Sequence, residues 1–467
     1  MVVTSRLTRF VPGRLRRWTR RRLVDLSPDL RFGPTFLAWR QFLARAQWWD
    51  AARIRRWQSR RLKRLVEFAY RRSSGYRQLY REAGVHPRDV RGVDDLSNLP
   101  FVTKALLRDN LEAFSTGGGA RRYVTTGGST GIPFGFYERE ANREIEAAFM
   151  EMGWMRVGWH PDQPTAILRG EFIGEEDAVW TYRESEHKLL LSSYHLQPRH
   201  AEQFTAALRR HPVTVLQAYP SSLELMGKML EDAGSVFEPT FDLVLLGSEM
   251  LHDDQLRRFQ RWLPRTRFFC WYGHAEKVIL APWCEYQNAY HLWPFYGITE
   301  VIRADGSVAS QDQQGEMVGT GFHMLETPFI RYRTMDEAVV GPGRCRACGR
   351  EFPMLQRIAG RRQDLLEGRT GRKVAIAAVN MHDALFDDLR QFQFQQRAPG
   401  QVVLKVVPRR GRLNAQQQAR ILRGLRAKLG RDFNLSLAET DKIERTPSGK
   451  VRFMDIDTTV SAREASR

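Results

Sequence analysis

The sequence predicts an α/β protein: a large domain of parallel βαβ sheets with a β-rich part, and a small α+β domain joined to it across a hinge. Three stretches carry this expectation. Between about 212 and 276, short apolar runs alternate with amphipathic ones ("VTVLQAYP", "SSLELMGKMLEDAG", "FDLVLLGSE", "LHDDQLRRFQRWLP", "TRFFCWYG"). Strands alternating with helices imply parallel βαβ units. Residues from about 290 to 340 are β-rich, and Asp305-Gly306 is suited to a hairpin turn. Beyond "IAGRRQDLL", the run "QFQFQQRAPGQVVLKVVP" reads as a hairpin turning at Pro399-Gly400, and "NAQQQARILRGLRAKLG" as a helix.

The elements follow in order. Residues 1–36 form a basic arm, with eight arginines among the first 22 residues. The large domain covers 37–360 and opens with a helical cap at 37–83, where apolar residues recur at spacings of three and four. Thr103 is placed to cap a helix. The glycine-rich stretch "YVTTGGSTGIPFGFY" follows, with a strand expected on each side. In parallel sheets ligands bind beyond the carboxyl ends of the strands. That rule gathers Tyr219, Gly247-Ser248-Glu249 and Tyr272-Gly273-His274-Ala275-Glu276 into one crevice. The small lid domain covers 361–459, and 460–467 is a tail.

The 467 residues suffice for two or three domains, and no apolar run is long enough to span a bilayer. The N-terminus lacks the apolar core of a secretory signal, so a cytoplasmic protein is expected. The net charge of +20 attracts anions: nucleic acid, anionic lipid or phosphorylated small molecules. No zinc-finger, RRM or helix-turn-helix pattern accompanies it, which argues against a specific nucleic-acid reader. The arm is expected either to hold the protein at the anionic inner face of the membrane or simply to be solvated. Four cysteines are too few for a disulfide scaffold.

Thr125, Thr126, Gly127, Gly128, Ser129, Thr130 and Gly131 suit phosphate binding, because glycines let backbone N–H groups turn toward an anion and the hydroxyls add donors. Yet the loop has no lysine, whereas a Walker-type loop closes with Gly-Lys-Ser/Thr.

In series, T-T-G-G-S-T-G-I-P, L-G-S-E-M, Y-G-H-A-E, Y-R-T-M-D, I-A-G-R-R-Q-D and P-S-G-K resemble the motifs of the adenylate-forming enzymes. Within that superfamily the chain looks most like the phenylacetate–coenzyme A ligase family, including members associated with capsular polysaccharide genes. The resemblance spans about residues 95–455. It implies an acid–thiol ligase that uses ATP and Mg²⁺ to activate a carboxylic acid as an acyl-adenylate and passes the acyl group to coenzyme A. By position, Thr125 to Gly131 hold the β- and γ-phosphates and Gly247, Ser248 and Glu249 line the adenine pocket. Tyr272, followed by Gly273, stacks on adenine. Glu276 is the Mg²⁺ ligand, Asp336 holds the ribose hydroxyls, and Arg361 lies on the ribose and phosphate side near the hinge. Lys450 is the catalytic lysine. The chemistry fits: a carboxylate accepts from a diol, and Mg²⁺ prefers carboxylate plus phosphate oxygens.

Two positions depart from the superfamily's pattern. Phe134 stands where a lysine often follows the loop's proline, and Gln363 replaces the first acid of the hinge, leaving Asp364 as the pivot. The acid pocket is expected near Tyr219, Pro220, Ser221 and Trp271. Cys284 and His291 form C-x6-H, and Cys345 and Cys348 form C-x2-C. Together they make a Cys₃His set of the structural zinc type; two buried thiols and a surface histidine are the alternative. Two other functions stay open: adenylation with a carrier protein, amine or sugar as acceptor, and a non-catalytic scaffold at the membrane.

Overall fold

The computed structural model describes residues 33–119, 121–126, 134–170, 173, 178–235, 237, 241–359, 365–375, 379, 384–386, 388–408, 411–443 and 454–456. Residues 1–32 of the basic arm, Gly127 to Gly131, the expected hinge residues Arg361, Gln363 and Asp364, and Lys450 all lie outside them, while residues 34–36, assigned to the arm, already belong to the first helix.

The helical cap is three helices: α1 (Pro34–Ala46), α2 (Ala51–Arg72) and α3 (Ser74–Glu82). Asp50 and Ser73 divide them. Each side chain accepts from a backbone N–H of the following helix, so the polar residues in the periodic run act as caps. α4 (Lys104–Asp109) starts at Thr103, whose hydroxyl accepts from Leu106 N at 3.1 Å.

Strands β1 (Arg122–Thr126) and β2 (Phe134–Glu138) pair antiparallel, Thr126 opposite Phe134, so the glycine-rich loop joins the two ends of one ladder. After α5 (Glu140–Met155) comes a seven-stranded sheet. Its members are β3 (Thr165–Leu168), β4 (Trp180–Arg183), β5 (Lys188–Leu191), β6 (Val215–Ala218), β7 (Leu243–Gly247), β8 (Arg267–Gly273) and β9 (Leu280–Pro282). They lie in the order β4-β5-β3-β6-β7-β8-β9. The five central strands are mutually parallel, and the two edge strands run antiparallel. Helices α6 (Ala201–Arg210), α7 (Pro220–Asp232) and α8 (Asp253–Trp262) supply the crossovers between β5, β6, β7 and β8. Every residue of β7 is buried, as expected of a central parallel strand.

The β-rich part is an antiparallel sheet, β10 (Tyr290–His291), β11 (Gly297–Ile302), β12 (Gln314–Gly321), β13 (Tyr332–Val340) and β14 (Met354–Ala359), in the order β10-β14-β13-β12-β11. The turn after β11 uses Gly306 at φ 84°, a conformation that favours glycine. Residues beyond the hinge bring β15 (Leu365–Glu367) and β16 (Lys373–Ala375), then β17 (Leu389–Ala398) and β18 (Gln401–Pro408), the hairpin predicted at Pro399-Gly400. Helix α9 (Ala415–Leu429), β19 (Asn434–Glu439) and β20 (Met454–Ile456) complete a four-stranded sheet with its own apolar core, including Phe392, Phe394, Leu404, Ile421 and Leu425. The α/β class follows the prediction. The sequence reading missed β3, β4, β5 and β9, which are three or four residues long and too short to show a period.

Candidate active site

β8 carries the site's central segment. Beyond its end, Glu276 is buried, and three groups fix its carboxylate. Tyr332 Oη donates to Oε1 at 2.9 Å, His274 Nδ1 lies 3.0 Å from Oε2, and Lys104 Nζ lies 3.9 Å from Oε1. Ile279 N donates to His274 Nε2 at 3.2 Å, which leaves the proton on Nδ1, facing the carboxylate. Burial alone would raise the Glu276 pKa, but the His274 hydrogen bond and the Lys104 charge outweigh it and hold the acid well below its usual range. An ionised carboxylate with hydrogen-bonded neighbours is what a hard cation needs.

Asp336 reaches the same region through a bulge. In the β12–β13 ladder Glu316 pairs with Glu337 and Val318 with Arg333, so Thr334, Met335 and Asp336 together face Met317. Such a bulge re-aims side chains. Met335 has φ 66° and is exposed, and Asp336 Oδ2 accepts from Tyr272 Oη at 2.7 Å. Burial and the neighbouring Asp336 charge push the Tyr272 phenol well above its ordinary value, so it stays a donor.

Backbone strain gathers here. Among the described residues six non-glycine residues have positive φ, and four of them, Ser248, Lys277, Arg331 and Met335, lie in or beside the expected site segments. Such conformations cost about 1–3 kcal/mol each and cluster at functional sites.

Lys104, at the first turn of α4, lies 5.6 Å from the centre of the Phe134 ring. Phe134 opens β2 directly after the glycine-rich loop, at the position that a lysine often holds in the superfamily. A cation from another segment of the chain therefore stands beside the loop's exit and faces Glu276.

On the neighbouring strand ends, Ser248 Oγ accepts from Arg169 Nη2 at 2.8 Å. Glu249 is buried, with Ser221 N at 3.0 Å and Ser221 Oγ at 2.8 Å on its two oxygens. Burial, only partly offset by those bonds, pushes its carboxyl up to about 7. The folded state thus holds this proton more tightly than the unfolded chain. The associated stability is present below pH about 4.5 and is lost as pH rises to about 7. Glu249→Gln should therefore gain on the wild type by up to about 3 kcal/mol between pH 5 and pH 8. Urea unfolding at both pH values checks this; a difference that does not move with pH would show Glu249 ionised throughout.

A second cluster joins Cys284, His291, Cys345 and Cys348, whose ligand atoms all lie within 4.8 Å of one another. Cys284 Sγ and Cys345 Sγ are 3.7 Å apart, and Cys348 Sγ lies 3.6 Å from His291 Nε2. Tetrahedral zinc with bonds of about 2.3 Å to sulfur and about 2.0 Å to nitrogen requires separations of about 3.8 and about 3.5 Å. The thiols are free and His291 is fully buried, so the donor set fits zinc. β10 supplies His291 and pairs with β14. The turn holding Cys345 and Cys348 closes through Cys345 N to Arg350 O and Gly349 N to Cys345 O.

A family profile described as the CapK C-terminal domain matches residues 367–456. Protein CapK of Staphylococcus aureus is 21% identical over 422 residues, covering 85% of this chain and 88% of that protein. The phenylacetate-coenzyme A ligase of Thermus thermophilus is 26% identical over 325 residues, 67% of this chain and 72% of the relative. These likenesses support an adenylate-forming, phenylacetate–coenzyme A ligase-like family for the chain. Its fold matches that of 2-hydroxyisobutyryl-CoA ligase, solved with 2-HIB-AMP and CoA in the thioesterification state. The TM-score is 0.58 at 17% identity, over 90% of this chain and 93% of that one.

The structure brings together most of the family positions it describes. Tyr272, Gly273, Glu276 and Asp336 form one group, while Gly247, Ser248, Glu249, Tyr219, Pro220, Ser221 and Trp271 line the adjoining strand ends. Thr125 is buried in β1, and Thr126 ends that strand. Lys104, Arg169 and Tyr332 were not singled out from the sequence, and His274 was placed in the crevice without a role. His274 and Tyr332 stand inside the quoted motifs. Lys104 directly follows a helix cap, which was the one local signal it carried.

Proposed function

We propose that this chain activates a carboxylic acid with ATP as an acyl-adenylate and transfers the acyl group to a thiol, coenzyme A. The observation that carries this is the ionised Glu276, held by Tyr332, His274 and Lys104, a short way from the Asp336–Tyr272 pair and from the strand that leaves the glycine-rich loop. A carboxylate for a metal, a carboxylate for a diol and a cation for phosphate are the three fixed charges that the first half-reaction requires. Mg²⁺ on Glu276 would draw charge from the phosphates. Attack of the acid on the α-phosphorus expels pyrophosphate, and Lys104 stands where a leaving phosphate needs a counter-charge. Asp336 accepts from the ribose hydroxyls, and Tyr272 fixes its orientation. Transfer to the thiol needs the small domain to move, a lid-type step. Zinc at Cys284, His291, Cys345 and Cys348 would be structural, because four protein ligands leave no open position.

Carboxylate-dependent ATP–pyrophosphate exchange across a panel of acids tests the first half-reaction, and AMP release with coenzyme A tests the second. Absence of exchange with every acid tried would leave a non-catalytic scaffold. Exchange without thioester formation would point to a carrier protein, amine or sugar as the acceptor.

A further inference from the structure

The carboxyl ends of β3, β6, β7 and β8 lie side by side, and the residue that follows β3 is Arg169. Its guanidinium carbon is 5.2 Å from the centre of the Tyr219 ring and 5.7 Å from that of Trp271. Nη2 donates to Ser248 Oγ at 2.8 Å. Nε is buried and has no hydrogen-bond partner among the described residues. Glu249 senses this charge, but Ser221 occupies both its oxygens. Leaving a buried donor unpaired is costly, and an acceptor on a ligand would remove that cost.

The face on which the charge lies decides what it can meet. Trp271 and Tyr272 are successive residues of a strand, so their side chains take opposite faces. Tyr272 turns to Asp336, the expected ribose carboxylate. Trp271 turns to Gly247, where a Cβ would come within 2.4 Å of the indole, and to Trp154 of α5 at 5.5 Å between ring centres. Arg169 and Tyr219 accompany Trp271, so the guanidinium stands beside the expected acid pocket, on the strand face opposite Tyr272 and Asp336, with only its Nη2 reaching Ser248 of the expected adenine segment. Clamping the reacting carboxylate there would tie up the lone pairs that must attack phosphorus. The guanidinium is therefore better used at the acid's other end.

We propose that the acid taken by this site carries a second anionic group, a carboxylate, phosphate or sulfonate, and that Arg169 is the residue that reads it, stacked between Tyr219 and Trp271. Guanidinium donors match such groups in pairs. The assignment rests on the adenylation reading for its chemistry, but not for the charge and rings that would hold the ligand.

The test uses matched acids: an aryl or alkyl monocarboxylate, and the same skeleton bearing a second carboxylate or a phosphate. Binding is followed by calorimetry without ATP, and adenylation by pyrophosphate exchange. The wild type should prefer the doubly anionic member by roughly 10–100-fold, the range of one charged hydrogen-bonded contact. Arg169→Met should reduce that preference to within about threefold while keeping the monocarboxylate, and Arg169→Lys should restore part of it, as expected for a point charge without the fork. The two doubly anionic arms identify the group. Equal affinity for both members of a pair, no binding of either, or equal loss of both in Arg169→Met overturns the assignment. Selective binding of doubly anionic acids without any exchange would instead retain Arg169 as the anion reader and overturn adenylation.

Discussion

Lys450→Ala is expected to slow carboxylate-dependent adenylation by about 10²–10³-fold, the usual loss when one preorganised charge is removed from a transition state. The expectation comes from "RTPSGKV" and its match to the family's catalytic lysine. ATP binding should remain nearly intact, and so should thioester formation from a supplied acyl-adenylate, because the lysine would leave when the small domain moves. Lys104→Ala should fail differently. Lys104 belongs to the large part of the chain, 3.9 Å from Glu276 and beside β2, so its charge is present throughout. Its loss should raise the KM for ATP and slow pyrophosphate exchange, again by about 10²-fold or more. Thioester formation from the adenylate should survive, since the pyrophosphate has already gone. Measuring the two half-reactions separately for both variants, with Lys104→Gln as a control that keeps hydrogen bonding, decides the matter. Wild-type adenylation in Lys450→Ala, or equal loss of both half-reactions in a folded variant, would remove the mobile lysine. An unchanged ATP KM in Lys104→Ala would remove Lys104 from the phosphate site. The loop without a lysine thus has two candidate cations, one fixed beside it and one brought by the small domain.

The second large effect concerns zinc. Purified protein is expected to carry close to one equivalent, and Cys345→Ser combined with Cys348→Ser to carry almost none. The ligands come from two segments, 284–291 and 345–348, and structural zinc contributes of order 10 kcal/mol in small metal sites. That is comparable to the whole stability of an ordinary domain. Chelation should therefore lower the unfolding temperature markedly and make the thiols of Cys284, Cys345 and Cys348 reactive together. Cys270→Ser should leave the zinc content unchanged, since Cys270 lies in the core of β8, with burial pushing its thiol up to about 12. Less than half an equivalent of zinc in the wild type, or zinc retained in the double variant, would refute the assignment.

Several features were legible along the chain because each depends on neighbours in sequence. The alternation that made β6, α7, β7, α8 and β8 is a local hydrophobic period, and the turns at Gly306 and Gly400 need only a residue that tolerates positive φ. The motif segments carrying Glu249, Glu276 and Asp336 were recognisable in the same way, as was the pairing of C-x6-H with C-x2-C. Tertiary structure alone decided what those groups face. Lys104 and Arg169 are single cations in a chain rich in arginine, and nothing in "VTKAL" or "ILRGE" separates them from solvated ones. Docking α4 against β2 puts the first beside Glu276, and placing β3 next to β6 puts the second between Tyr219 and Trp271. The bulge at Thr334–Asp336 likewise exists only in the pairing of β12 with β13. Sequence periodicity reports which face of an element is apolar. Charge acquires a function from its distance to other charges, and in this chain those distances are set by sheet order and helix docking between segments up to about 170 residues apart.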